Sequence, residues 1–185
     1  KLSHARRSRL SAGPDIGVLF GVGRTYTTYG FRKLPYASEQ RFRLGFATEP
    51  AAFRADYRLR LRRAGSPLLA QLALLASGIE VLRFHGFGNE VSAENDERYY
   101  RVTHDRYGIW PSVVTPLGRG GELTAGPVVR YVLTDDHPDR YLATLDPYGA
   151  GRYGQIGARV DVSLGGGERR GAAWPHLTVD AGGSL

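Results

Sequence analysis

The chain has 185 residues, a formal net charge of +7 and a pI near 9.9, with no cysteine and no methionine. That length fits one domain or part of a larger one, and the missing cysteines exclude a disulfide framework, thiolate chemistry and any thiolate metal site. The positive charge suits an anionic partner, either nucleic acid or the phosphates of a membrane surface. Glycine is frequent at 25 residues, and the 11 tyrosines outnumber the 7 phenylalanines. This composition favours antiparallel β structure over helix. The most apolar run, residues 67–79, is broken by Gln71 and Ser77. It falls short of the ~20 residues a membrane-crossing helix needs, but barrel strands need only ~9–11.

Residues 1–14 carry Lys1, Arg6, Arg7 and Arg9 and read as a basic linker from an upstream region. The first residue is Lys, so the chain reads as processed or trimmed. Residues 15–30 form the first expected strand, with Ile16, Val18, Phe20 and Val22 on one face and Gly17, Leu19, Gly21 and Gly23 on the other. Residues 31–38 are a connection. In residues 41–48, Phe42, Leu44 and Phe46 alternate with Arg41, Arg43 and Gly45. Residues 53–62 alternate most cleanly. Phe53, Ala55, Tyr57, Leu59 and Leu61 make one apolar face, and Arg54, Asp56, Arg58, Arg60 and Arg62 make a charged one. Helical spacing would scatter both sets around a cylinder.

Leucine spacing in residues 68–77 fits a helix as well as a strand, and the flanking strands favour the strand. Residues 79–96 read as a long mixed segment. An aromatic strand follows at 98–115, a Gly-rich turn at 116–121 and a strand at 122–134, where Pro127 predicts a bulge. Residues 135–151 read as a second long loop. In residues 155–164, Ile156, Ala158, Val160, Val162 and Leu164 alternate with Gln155, Gly157, Arg159, Asp161 and Ser163. A final strand begins at residue 176. The expectation is an all-β, antiparallel sheet of about eight strands occupying residues 15–185, with the long connections on one side.

Such alternation suits two settings. A soluble sandwich or lipocalin-like barrel hides the apolar face and would bind a small apolar ligand. A transmembrane barrel turns the apolar face to lipid and the polar face to a wet lumen. Three features favour the membrane. The polar faces mix Arg with Asp, Gln and Gly; the strands exceed the usual ~5–6 residues; and the chain stops within a pattern. Tyr26, Tyr29, Tyr36, Tyr99, Tyr100, Tyr141, Tyr148 and Tyr153 lie near strand ends, as girdles would.

The stretch Gly86-Phe87-Gly88-Asn89-Glu90, preceded by Ala76-Ser77-Gly78-Ile79-Glu80-Val81 and Arg83-Phe84, resembles the bacterial surface antigen superfamily of outer-membrane barrels. Tyr29-Gly30-Phe31-Arg32-Lys33, Pro35-Tyr36-Ala37-Ser38, Phe53-Arg54-Ala55-Asp56-Tyr57, Gly126-Pro127-Val128 and Gly154-Gln155-Ile156-Gly157-Ala158-Arg159 look similar in the same order. The loop motif Val-Arg-Gly-Tyr/Phe and the terminal aromatic of that superfamily are not in this chain. The resemblance therefore implies the N-terminal half of a barrel of about sixteen strands. It also implies a Gram-negative outer-membrane location and a role in membrane-protein insertion or translocation, or as an anchor or pore. Its implied partners are the bilayer and lipopolysaccharide, unfolded outer-membrane clients or other subunits, and not nucleic acid. No cofactor and no catalytic activity of this segment is implied. An upstream phosphoesterase-like domain, anchored by the barrel, is the enzymatic alternative.

No nucleophile elbow, phosphate-binding loop, dinucleotide fingerprint or paired-histidine metal motif occurs. Asp135, Asp136, His137 and Asp139 cluster on a loop, but their spacing fits no known ion loop and reads as a solvated surface. His104-Asp105 reads as polar lumen residues rather than part of a lipase. The one charged constellation is Arg41, Arg43, Arg54, Arg58, Arg60 and Arg62, expected to face a lumen. It would favour anions or grip an extended acidic chain, or else be neutralised by Asp56 and carboxylates of strands outside this chain; neutralisation is the expected arrangement.

Overall fold

The computed structural model describes residues 2–13, 15–86, 96, 99–118, 121–134, 137–145, 151–164 and 176–184. Nine strands form one sheet: β1 Leu2–Gly13, β2 Gly17–Gly30, β3 Lys33–Ala47, β4 Ala52–Arg62, β5 Leu69–Arg83, β6 Arg101–Leu117, β7 Gly121–Thr134, β8 Arg152–Ser163 and β9 His176–Ser184. Spatial order follows chain order, and every neighbouring pair is antiparallel. β1 and β9 are the two edges and do not pair with each other, so the sheet is open. One short helix, α1 Tyr141–Leu145, lies between β7 and β8.

The expected strands are present, and the structure corrects four details. Leu2–Gly13, expected as a linker, is the edge strand β1, bonded along its whole length to β2. Its backbone pairing, not an apolar face, holds it in the sheet. Most of the expected connection at 31–38 belongs to β3, leaving a tight turn with Arg32 in the left-handed region at φ 55°. β5 continues through Arg83 into the segment read as mixed, absorbing a bulge between Ser77 and Glu80. The bulge expected at Pro127 does not form. Pro127 pairs with Ala158 without a register shift, and on its other side it stands opposite Pro111, where β6 and β7 leave the ladder open between the Ile109–Val129 and Val113–Ala125 pairs. Neither proline has an N–H to give, so the gap costs fewer hydrogen bonds than it would elsewhere.

The connections sort by end. Residues 14–16, 48–51, 84–100 and 135–151 join strands at one end; residues 31–32, 63–68, 118–120 and 164–175 join them at the other. A network ties the first end together. Arg83 Nη2 bonds to Asp15 Oδ1 at 2.8 Å, and Arg101 donates to the Asp15 carbonyl at 2.9 Å and to Glu49 at 3.3 Å. Tyr99, Tyr100 and Tyr141 pack at that end with ring centroids 5.3–5.5 Å apart, and His85 stacks on Tyr100. The Tyr141 N–H donates to the Tyr99 carbonyl, docking α1 with Leu142 buried.

The distribution of apolar side chains is inverted relative to a soluble sheet. Phe20, Leu44, Phe53, Leu61, Ile109, Val113, Ile156 and Val160 are all exposed, with Phe53 at 72%. Among the described residues no large side chain is fully buried. The opposite face is curled and half-buried. One space on this face is lined both by Arg43 on β3 and by Arg159 and Asp161 on β8, strands that a flat sheet with ~4.8 Å spacing would hold about 24 Å apart. The polar face is therefore the concave one.

The apolar runs are staggered. On β4 the run Phe53–Leu61 centres on Tyr57, and on β8 the run Ile156–Leu164 centres on Val160. The bonded row through Tyr57 passes Leu74, Ile109 and Val129 and ends on Ile156, four residues before Val160. The run thus drifts about one residue, or ~3.4 Å, for each ~4.8 Å step between strands. The run Ile16–Val22 preceding and on β2 is displaced in the same sense. A level apolar belt drawn on this sheet crosses strands tilted by about 35°, within the range of barrel walls.

Candidate functional site

β-strand alternation delivers charged side chains to the concave face. Arg7 and Arg9 on β1, Arg41 and Arg43 on β3, Arg54, Arg58 and Arg60 on β4, Arg106, Arg130 and Arg159 on later strands all share it by register. The carboxylates on this face of β3 to β8 are Glu39, Asp56, Glu80, Glu122 and Asp161. Arginines therefore outnumber acids.

Several of these arginines have carboxylate partners, and apart from Asp56 the partners come from Glu39, Glu80 and Glu122 of this chain, not from strands outside it. Asp56 is shared: Oδ1 accepts from Arg43 Nε at 2.5 Å and Oδ2 lies 3.8 Å from Arg54. Glu80 serves Arg54 at 3.3 Å and Arg106 at 3.9 Å. Arg60 donates to Gln71 Oε1 at 2.9 Å and approaches Glu122, and Arg41 lies 3.7 Å from Glu39. Arg159 pairs with Asp161 at 3.6 Å. Arg58 differs: no described carboxylate lies within ion-pair distance of it, and Arg41 stands directly opposite across the strand pair. Arg62 shares this face by register but lies at the strand end. Its guanidinium lies 5.1 Å from the Tyr36 ring centroid, and it lines neither concave space described next.

Two troughs lie on this face. One, of about 490 Å³, is lined by Arg43, Arg54, Arg58, Arg60 and Arg159 with Asp56, Gln71, Trp110, Ser112 and Thr124. The other, of about 760 Å³, runs towards β1 and is lined by Arg7, Arg9, Arg41, Arg43 and the bare backbone of Gly21, Gly23 and Gly45. Gly23 packs against Arg43, so the Gly21–Gly23 pair gives close approach, not a phosphate cradle. Gly108 plays a similar part under Trp110: any Cβ at position 108 would collide with the indole ring. The ring thus lies along the wall, with Arg130 6.0 Å from its centroid. Gly108 and Trp110 share a face by alternation, but that the ring folds back over position 108 depends on its rotamer, which the residue pattern does not specify.

The remaining sequence candidates disperse. His104 Nδ1 lies 3.0 Å from Thr134 Oγ1. His137 pairs with Asp139 at 3.5 Å. Asp135, Asp136, Tyr148 and the segment Phe87–Glu90 lie outside the described residues. No metal-ligand cluster of His, Cys, Asp and Glu occurs among the described residues.

Comparison of the chain with protein-family models, with curated proteins and with solved structures finds no match.

Proposed function

We propose that this sheet is part of the wall of a bacterial outer-membrane β-barrel of the surface-antigen type, its convex face in lipid and its concave face in water. The observation that carries this reading is the inversion of the sheet: large apolar side chains stand exposed on one face while ion pairs and hydrogen bonds fill the curled other face. A soluble barrel would place those faces the other way round. The stagger of the apolar runs adds independent support, since a bilayer is level and barrel strands are tilted. β4 gives a belt height of about 22 Å, from eight steps of ~3.3 Å at a tilt of about 35°, close to the ~25 Å band of such barrels. Open edges at β1 and β9 cannot face lipid, so further strands, in this polypeptide or another, would complete the wall.

The function that follows is passage or insertion of clients through or beside a polar, arginine-rich lumen, with anchoring or pore formation as the simpler uses. The test is fractionation followed by gel mobility before and after boiling. Recovery in the outer-membrane fraction, only with detergent, and a heat-dependent mobility shift are expected. A monodisperse monomer without detergent would overturn the proposal in favour of a soluble ligand-binding barrel.

A further inference from the structure

The concave face holds positive charge that its own carboxylates do not satisfy, and the excess is localised. Arg41 and Arg58 are directly opposed on β3 and β4, and like charges so placed repel. Arg41 has Glu39 at 3.7 Å, but both oxygens of Asp56, the acid two residues before Arg58, are engaged by Arg43 and Arg54. Arg60, two residues on, continues the cationic row. Arg58 and Arg60 open onto the trough of about 490 Å³, where Ser112 and Thr124 offer hydroxyl groups and where the carboxylates present, Asp56, Glu122 and Asp161, lie within ion-pair distance of Arg43 and Arg54, Arg60 and Arg159 respectively.

From this arrangement we infer that the trough is a binding site for a compact polyanion bearing phosphate or carboxylate groups, with Arg58 as its central contact. Guanidinium forks match both groups in two-pronged fashion. An occupant would meet Arg58 and Arg60 directly, while Arg41, opposite Arg58 on the neighbouring strand, lines the adjoining trough. The trough is within the usual volume of small-molecule sites, ~300–1,000 Å³. The inference rests on the proposed barrel only in that the concave face must be wet.

Trp110 lines the same trough, so the site has a built-in reporter. The full chain, purified in detergent with the chain's other tryptophan changed by Trp174→Phe, is titrated separately with tripolyphosphate and with citrate while Trp110 fluorescence is followed. A saturable change is expected with at least one, and the tighter of the two identifies the group recognised. Arg58→Gln should weaken binding at least tenfold, and Arg60→Gln, in the same trough, by a similar factor. Arg62→Gln should leave binding unchanged, because the Arg62 guanidinium lies against Tyr36. Each variant's heat-dependent gel shift verifies that it has folded, and Arg60→Gln serves if Arg58→Gln does not fold. No saturable response to either anion, or equal affinity in wild type and both on-site variants, would overturn the site. Failure of the barrel reading is separable: it would show as detergent-independent monomers, whether or not they bind the anion.

Discussion

Leu61 on β4 and Val160 on β8 occupy the same bonded row, linked through Ala70, Val113 and Ala125. Their exposures are nearly equal, 46% and 42%. In a tilted wall they nevertheless lie at different depths. Leu61 is the last residue of its apolar run, four positions from Tyr57 at the centre, whereas Val160 is the centre of its own. Four positions span about 13 Å along the strand and about 11 Å of depth at a tilt of about 35°. Arginine on the lipid face costs about 2–4 kcal/mol at the bilayer midplane and about 0–1 near the interface. Val160→Arg should therefore cost about 2–4 kcal/mol and Leu61→Arg no more than about 1. A 3 kcal/mol difference is on the order of 100-fold in the unfolding constant. The assay is reversible urea unfolding in lipid vesicles, read by the fraction that keeps its heat-dependent mobility. If the convex face met water, both substitutions would fall within about ±0.5 kcal/mol. Equal, small effects would refute both the lipid contact and the tilt.

Three further outcomes follow from the side-chain contacts. Asp56→Asn strips two arginines of their shared carboxylate and should destabilise by about 1–2 kcal/mol, between the values for exposed and buried pairs; urea midpoints will measure it. Gly108→Ala forces the indole of Trp110 off the wall; overpacking of this kind costs about 1–3 kcal/mol, and the Trp110 emission should shift to the red. Arg101→Gln removes the bonds to Asp15 and Glu49, so protease cleavage at residues 14–16 and 48–51 should accelerate while the sheet's urea midpoint moves by less than about 1 kcal/mol.

The strands with a strict two-residue period were legible in the sequence because the two faces meet different environments; β4 and β8 are examples. β1 was not, since Leu2–Gly13 mixes Arg6, Arg7, Ser8 and Arg9 without alternation and is placed by backbone pairing to one neighbour. β5 was ambiguous because leucines and alanines occupy both its faces, which is tolerable where the concave side is partly shielded. Pro127 misled because its effect depends on Pro111, sixteen residues earlier in the chain and opposite it in space. All six arginines proposed as a cluster share the concave face by register, and Arg62 differs in lying at the strand end with its guanidinium 5.1 Å from the Tyr36 ring centroid. The unbalanced position of Arg58 was beyond the sequence, because it depends on which arginines take Asp56 and Glu80.

In the proposed barrel wall, one face of the sheet meets lipid and the other water. Nitroxide labels placed singly at each position from Phe53 to Arg62, with the protein in vesicles, address this directly through collision with oxygen and with a water-soluble nickel chelate. A two-residue alternation is expected: oxygen-rich at Phe53, Ala55, Tyr57, Leu59 and Leu61, nickel-rich at Arg54, Asp56, Arg58, Arg60 and Arg62. High nickel access at the five apolar positions would contradict it.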